Sequence, residues 1–378
     1  MTIINEHEIY LNNAATTLKK PPAVAEAVFH AISDQNFANP SRGFNFSSQN
    51  AAHTVFNARK TVAELFNITD PRKIVFTENV TAALNIAIRS FVSQNAHIIT
   101  TENEHNSVLR PLYQHGNLSF VRLNPDGTLR YKDFIKNLKP ETEAVVVSHA
   151  SNVSGIITDI DYIYEFCRKY NLLLIVDGAQ SAGHFKIDLS NKEDTVYCFT
   201  GHKGLYGPQG TGGMIVITDR KAHEVFSGGT GFDSFNHFMP DTLPEIFETG
   251  TRNIPAIAGL CAGIKFIQNF GIDKIEKDGT EKINRIIHAL KQNKNIELYH
   301  NTDVNRVAIV SFNYKGLSSE ETEGILSSHK ISVRSGIHCA PLHHKAMHTE
   351  NRGMVRVSLS IFNTDDEIRR FLEIIREI

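Results

Sequence analysis

Basic residues show no excess: 39 Lys and Arg stand against 41 Asp and Glu, a formal charge of −2, and no basic run interrupts the 378 residues. A nucleic-acid partner draws a clear basic excess or stripe, so that class is excluded. Cysteine is scarce. Cys167, Cys198, Cys261 and Cys339 have no C-x-x-C spacing and no companion histidines at ligand intervals, which leaves no disulfide framework and no metal site to expect. No apolar run approaches the length of a membrane span, and Met1 to Tyr10 is polar and acidic, unlike a secretory leader. A protein of the cytoplasm, with no membrane contact, is the expectation.

Internal repeats, low-complexity tracts and Gly/Ser linkers are missing too, so organisation has to be read from the order of elements. From about residue 20 to 260, amphipathic stretches such as Pro22 to Ile32 and Asn50 to Phe66 alternate with short β-branched runs. These runs are Lys73 to Phe76, His97 to Thr100, Ala144 to Val147, Leu172 to Val176, Thr195 to Phe199 and Gly213 to Ile217. Such a pattern predicts a mainly parallel sheet buried on both faces. Beyond Gly259 come long helical stretches within Ile264 to Gln292, strands near Val307 to Phe312 and Met354 to Ser360, and a last helix from Asp365 capped by Asn363-Thr364. The expected architecture is α/β. Residues 21–260 form a large domain, and residues 1–20 with 261–378 form a smaller α+β domain.

Ligands of such sheets sit at the carboxyl ends of strands. Thr200-Gly201-His202-Lys203-Gly204 directly follows the run Thr195 to Phe199. A lysine at a strand end among glycines suits covalent capture of a carbonyl cofactor, though an exposed turn lysine reads the same way in isolation. Asp177, in Asp177-Gly178-Ala179-Gln180, ends the run Leu172 to Val176. A carboxylate there suits a protonated pyridine nitrogen, and a helix cap is the plainer alternative. The two motifs together, in this order, are a rarer coincidence than either alone.

With these motifs the chain resembles the class V branch of fold-type I pyridoxal phosphate enzymes, in particular the cysteine desulfurases and selenocysteine lyases. The resemblance covers almost the whole chain. It runs through Tyr10-Leu11-Asn12-Asn13-Ala14-Ala15-Thr16, Glu104-His105-Asn106-Ser107, Ser151-Asn152-Val153-Ser154-Gly155 and Glu248-Thr249-Gly250-Thr251. Arg334-Ser335-Gly336-Ile337-His338-Cys339-Ala340 is its most specific segment.

The resemblance implies a seven-stranded, mainly parallel sheet between helices, and pyridoxal 5'-phosphate as cofactor. Lys203 would bind the cofactor and move the substrate's Cα proton, Asp177 would pair with the ring nitrogen, and Gln180 would donate to the phenolic oxygen. His105 would stack on the ring and relay protons. The phosphate would lie at a helix start, on Thr81 and the backbone of Asn79 and Val80, with Thr200 and His202 completing the cradle. Thr251 would reach the site of a partner subunit, which implies a homodimer. Ala15, Asn152, Arg334 and Arg356 would meet the substrate, Arg356 gripping its α-carboxylate.

Cys339 separates the activities that this resemblance allows. Its thiolate would attack the substrate's sulfur, so the expected enzyme converts L-cysteine to L-alanine and passes sulfur, as a Cys339 persulfide, to an acceptor protein or thiol. A selenocysteine lyase needs the same residues; in an aminotransferase or β-lyase Cys339 would be a bystander. Flanking Arg334 and His338 should lower the Cys339 pKa. Cys167, Cys198 and Cys261 lie in apolar settings and are core candidates. Departures from the family pattern fall at Asn12, Ile337 and Ser41 and bear on substrate preference. The cluster His338, His343, His344 and His348 matches no standard ligand spacing and reads as a polar flap.

Overall fold

The computed structural model describes residues 8–34, 37–40, 45–231 and 234–378; Ser41 lies outside them. Elements of the first half are β1 (Ile9–Tyr10), α1 (Pro22–Ser33), α2 (Phe46–Leu65), β2 (Ile74–Thr77), α3 (Val80–Phe91), β3 (His97–Thr101), α4 (Asn106–His115), β4 (Leu118–Val121), α5 (Asp133–Asn137), β5 (Thr142–Ser148), α6 (Ile160–Tyr170) and β6 (Leu173–Asp177). There follow β7 (Thr195–Thr200), β8 (Gly212–Ile217), α7 (Ile254–Phe270), α8 (Ile272–Gln292), β9 (Ile296–Leu298), β10 (Ile309–Tyr314), α9 (Ser319–Ser328), β11 (Ile331–Ser332), α10 (Pro341–Ala346), β12 (Val355–Ser358) and α11 (Asp365–Glu377).

The buried apolar runs assemble into one seven-stranded sheet, in the order β2-β8-β7-β6-β5-β3-β4. Strands β3 to β7 run parallel to one another, and β8 is antiparallel to β7 and β2. Alternation along each strand sends side chains into separate cores. Leu174 and Val176 pack with α2, α6 and α7, whereas Leu173 and Ile175 pack with α3 and α4. Helices on both faces are why β6, β7 and β8 read as continuous apolar runs rather than alternating ones.

A second core lies between the antiparallel sheet β12-β10-β9 and helices α8 and α11. The α11 start at Thr364 is a capping box with Glu367, which satisfies the helix's first donors. β1 joins β11 in a parallel pair, bringing the N-terminal segment to the late part of the chain.

The stretch read as helical within Ile264 to Gln292 is two helices, α7 and α8, meeting at Gly271 with an 82° bend. The boundary placed at residue 260 falls inside α7. Its glycines are packing positions rather than breaks: a Cβ on Gly263 would stand 2.4 Å from the Leu205 carbonyl oxygen. Among the described residues no single helix is long and apolar enough to cross a membrane.

Candidate active site

At the carboxyl ends of β6 and β7 lies a cavity of about 250 Å³. Ala15, Asn79, Val80, Thr81, His105, Asn152, Asp177, Gln180, Thr200, His202, Lys203, Arg334 and Arg356 line it, as do Ser107 and Ser148, for which the sequence suggested no role. Thr251 and Cys339 stand outside this lining. Thr251 is exposed and accepts a hydrogen bond from Asn39 Nδ2 at 3.3 Å.

Asp177 ends β6, where the strand leaves it buried at the cavity floor; the Ala179 N–H donates to its Oδ1 at 2.9 Å. Burial pushes its pKa up, and that N–H and the charge of Lys203 oppose the rise. Lys203 follows β7 and is half-buried, and desolvation brings its pKa down to about 8 against the attraction of Asp177. A lysine so placed exchanges its proton near neutrality.

The turn that holds Lys203 is fixed by the N-terminal segment. Thr17 donates from its N–H to the His202 carbonyl at 3.1 Å and from Oγ1 to the Lys203 carbonyl at 3.0 Å. Lys20 Nζ donates to the same His202 carbonyl at 2.7 Å, and Thr16 Oγ1 meets His202 Nδ1 at 3.0 Å. Thr17 and Lys20 were missed in the sequence because they share no motif with Lys203; the strongest available signal was their position just after the Tyr10 to Thr16 segment.

His105 caps α4, its Nδ1 accepting from the Ser107 N–H at 3.0 Å, so a neutral ring carries its proton on Nε2. Burial and the positive charges of Lys203, Arg334, Arg356 and Arg110 bring its pKa to about 4. Burial does the same for His202. Beneath His105, Glu104 is fully buried, accepting from Thr101 Oγ1 at 2.5 Å and Ser148 Oγ at 2.7 Å, and desolvation raises its pKa to about 7.

At the far end, β12 delivers Arg356, which is 1% exposed. Nη1 donates to the Asn152 carbonyl at 2.9 Å and Nη2 to Asn12 Oδ1 at 3.0 Å, leaving buried Nε without a partner. Both acceptors are neutral. Burial, with Arg334 nearby, lowers the Arg356 pKa to about 9, so the guanidinium is a cation short of a counter-charge.

Cys339 sits on the loop between β11 and α10, half-buried, its Sγ 3.9 Å from Arg334 Nη2. Arg334 therefore joins the thiol to the cavity. His338 does not supply the positive charge expected of it: burial holds its pKa well below the ordinary value, and Nε2 faces the Arg334 carbonyl at 3.1 Å. His338 and Cys339 both occupy left-handed backbone, with φ of 52° and 56°. Such conformations cost about 1–3 kcal/mol each in non-glycine residues. Two contacts hold the strained pair, Asn152 Nδ2 on the His338 carbonyl and the Asn106 N–H on the Cys339 carbonyl, each at 2.7 Å. The histidine flap is also rearranged: His348 is exposed, while His300, distant in sequence, joins buried His343.

Comparison with known proteins gives the family of the chain. The chain belongs to the class-V aminotransferase family, whose model matches residues 9–371. A probable cysteine desulfurase of Pyrococcus abyssi is 32% identical over 390 residues, covering 99% of this chain and 95% of the relative. The cysteine desulfurase of Salmonella agona is 29% identical, covering 96% and 91%. The solved apo structure of cysteine desulfurase from Thermococcus onnurineus NA1 superposes with a TM-score of 0.90 at 31% identity, covering 98% and 94%.

Proposed function

We propose that this protein is a homodimeric, pyridoxal 5'-phosphate-dependent cysteine desulfurase that turns L-cysteine into L-alanine and holds the sulfur on Cys339. One observation carries the reading. A half-buried lysine and a buried aspartate share a small cavity, an arginine with an unpaired Nε stands at its far end, and a thiol lies beside the second arginine that lines it.

The residues fit that cofactor. The first N–H groups of α3, at Val80 and Thr81, lack intrahelical acceptors and suit a phosphate. A Cβ on Gly212 would come within 2.7 Å of the Asn79 backbone, so glycine lets this helix start close against β8. Asp177 matches a ring nitrogen and His105 a ring face, while the second Nε2 hydrogen of Gln180, whose amide also donates to the Ala14 carbonyl at 2.9 Å, can serve the phenolic oxygen. When bound, the cofactor supplies the electron sink for breaking bonds at the substrate's Cα and Cβ.

The chain's own groups then have distinct tasks. Arg356 takes the substrate carboxylate, since its Nε is unsatisfied and its charge uncompensated. Lys203, near its neutral form, moves the Cα proton, and His105 offers an Nε2 proton above the ring position. Arg334 holds the Cys339 sulfur beside the cavity, and that sulfur attacks the substrate sulfur: the Sγ–S bond forms, the Cβ–S bond breaks with its electron pair left on carbon, and a proton there completes alanine. Atoms balance as cysteine plus thiol giving alanine plus persulfide, which an acceptor protein or small thiol then discharges.

The test follows visible absorbance of the holoprotein on adding L-cysteine, with alanine assayed in the same tube. Cys339→Ser should keep the cysteine-induced spectral change and lose at least about tenfold in alanine formation, while Lys203→Ala should lose both. Full alanine formation from Cys339→Ser would overturn the desulfurase assignment in favour of a lyase that does not need the thiol, and keto-acid formation would point to transamination.

A further inference from the structure

Behind the strained pair lies a second connection between the thiol loop and the body of the site. His343 is fully buried on α10, the helix that begins at Pro341, just past Cys339. Its Nδ1 is 2.8 Å from Asn103 Oδ1 and its Nε2 is 2.8 Å from His300 Nε2. Asn103 is buried in the turn that leads to His105, its N–H donating to Thr101 Oγ1 at 3.1 Å. The amide oxygen only accepts, so His343 carries its proton on Nδ1, and its Nε2 accepts from His300. Burial holds both rings neutral.

Two short segments, one with Asn103, His105 and Asn106 and the other with Cys339 and His343, are thus joined at both ends. Asn103 meets His343 at one end, and Asn106 meets the Cys339 carbonyl at the other. None of Asn103, His300 and His343 lines the cavity. Asn103, His300 and His343 are buried, and removing one partner of a buried bond leaves the other unsatisfied.

We propose that His343, backed by His300 and anchored on Asn103, is a positioning residue that sets the Cys339 thiol against the cavity for sulfur capture. The proposal rests on the reading of Cys339 as sulfur acceptor. His343 touches neither cofactor nor substrate, so it governs the thiol step and leaves cysteine binding alone.

The experiment uses holoprotein carrying His343→Leu, His343→Asn, Asn103→Ala or His343→Leu with Asn103→Ala, measured in three ways. Cysteine titration of the cofactor absorbance reports binding, single-turnover alanine formation reports sulfur capture, and alkylation by iodoacetamide, read by intact mass without substrate, reports thiol placement. Cys167, Cys198 and Cys261 are buried, and Cys339→Ser gives the background. His343→Leu should leave cysteine affinity within about twofold, slow alanine formation by about tenfold or more, and speed Cys339 alkylation severalfold. His343→Asn, which keeps an N–H for Asn103, should recover most of the rate. Asn103→Ala should reproduce His343→Leu, and the double variant should add little to either. Parallel loss of binding and alanine formation, or unchanged alkylation, would overturn the proposal. Should His343→Leu fail to fold, Asn103→Ala decides the matter by the same readouts. If the parent protein makes no alanine from cysteine, the desulfurase reading fails, and the alkylation comparison still decides the positioning claim.

Discussion

Glu104 shows how far burial reshapes single groups here. The hydroxyls of Thr101 and Ser148 and the backbone of Ser148 meet it, and it lies close enough to Asp177 for the two charges to repel. Its folded pKa of about 7 stands above the ordinary 4.5, so between those values the folded protein holds a proton that the unfolded chain releases. Stability from this group is therefore present at low pH and lost as pH rises through the window, on the order of 1 kcal/mol per pH unit. Glu104→Gln cannot ionise. Its melting temperature relative to the parent should climb from about pH 5 to about pH 7 and level off above that; a difference independent of pH would show that the carboxyl does not titrate there. Arg356 is the complementary case, a buried cation that the proposed substrate carboxylate would neutralise, with Asn12 accepting from it without adding a negative charge. An aspartate at that position would answer the charge from within.

Elements fix what residues can do, and their legibility in the sequence varied with how much of each was buried. Strands β6, β7 and β8 were readable because they are covered on both faces, and their ends carry Asp177 and Lys203. The half-buried β4 and the two-residue strands β1 and β11 give no periodic signal, and all three were missed. Most cavity residues were legible through contiguous motifs. Thr17, Lys20 and Ser107 act through tertiary hydrogen bonds, and His300 meets His343 only because the fold brings them together. Glu248 is another such case. Nearly buried, it accepts from the Phe76 N–H at 2.7 Å, pairs with Arg59, and faces Arg252 Nε at 3.6 Å, tying the segment before Thr251 to β2. Glu248→Ala would take the carboxylate from buried Arg59 and half-buried Arg252, and removing one partner of a buried ion pair costs about 3–5 kcal/mol. The urea midpoint should fall clearly below the parent's, and an unchanged midpoint would refute the role assigned to this network.

On the scale of the whole molecule, Thr251 is exposed, and in the proposed homodimer it would serve the other subunit's phosphate. Thr251→Ala should weaken cofactor retention by about tenfold, the worth of roughly one lost hydrogen bond to a charged group, without touching a residue of its own chain's cavity. Equilibrium dialysis measures the retention, and sedimentation shows whether the pair of chains persists. A monomer that keeps its cofactor equally well with and without Thr251 would exclude the shared site.

The pairing of β1 with β11, and the reach of Arg356 from β12 to Asn12, also set an order of events on the ribosome. The strands bearing Asp177 and Lys203 are synthesised well before the chain reaches β11 and β12. Until β11 and β12 emerge, the N-terminal segment lacks these sheet partners, and Arg356 has not yet joined the cavity. On the proposed function, a nascent chain would gain the residues that hold a cofactor before those that hold an amino acid, with Cys339 following β11. The topology thus places the thiol and Arg356 after the strands bearing Asp177 and Lys203 in the order of synthesis.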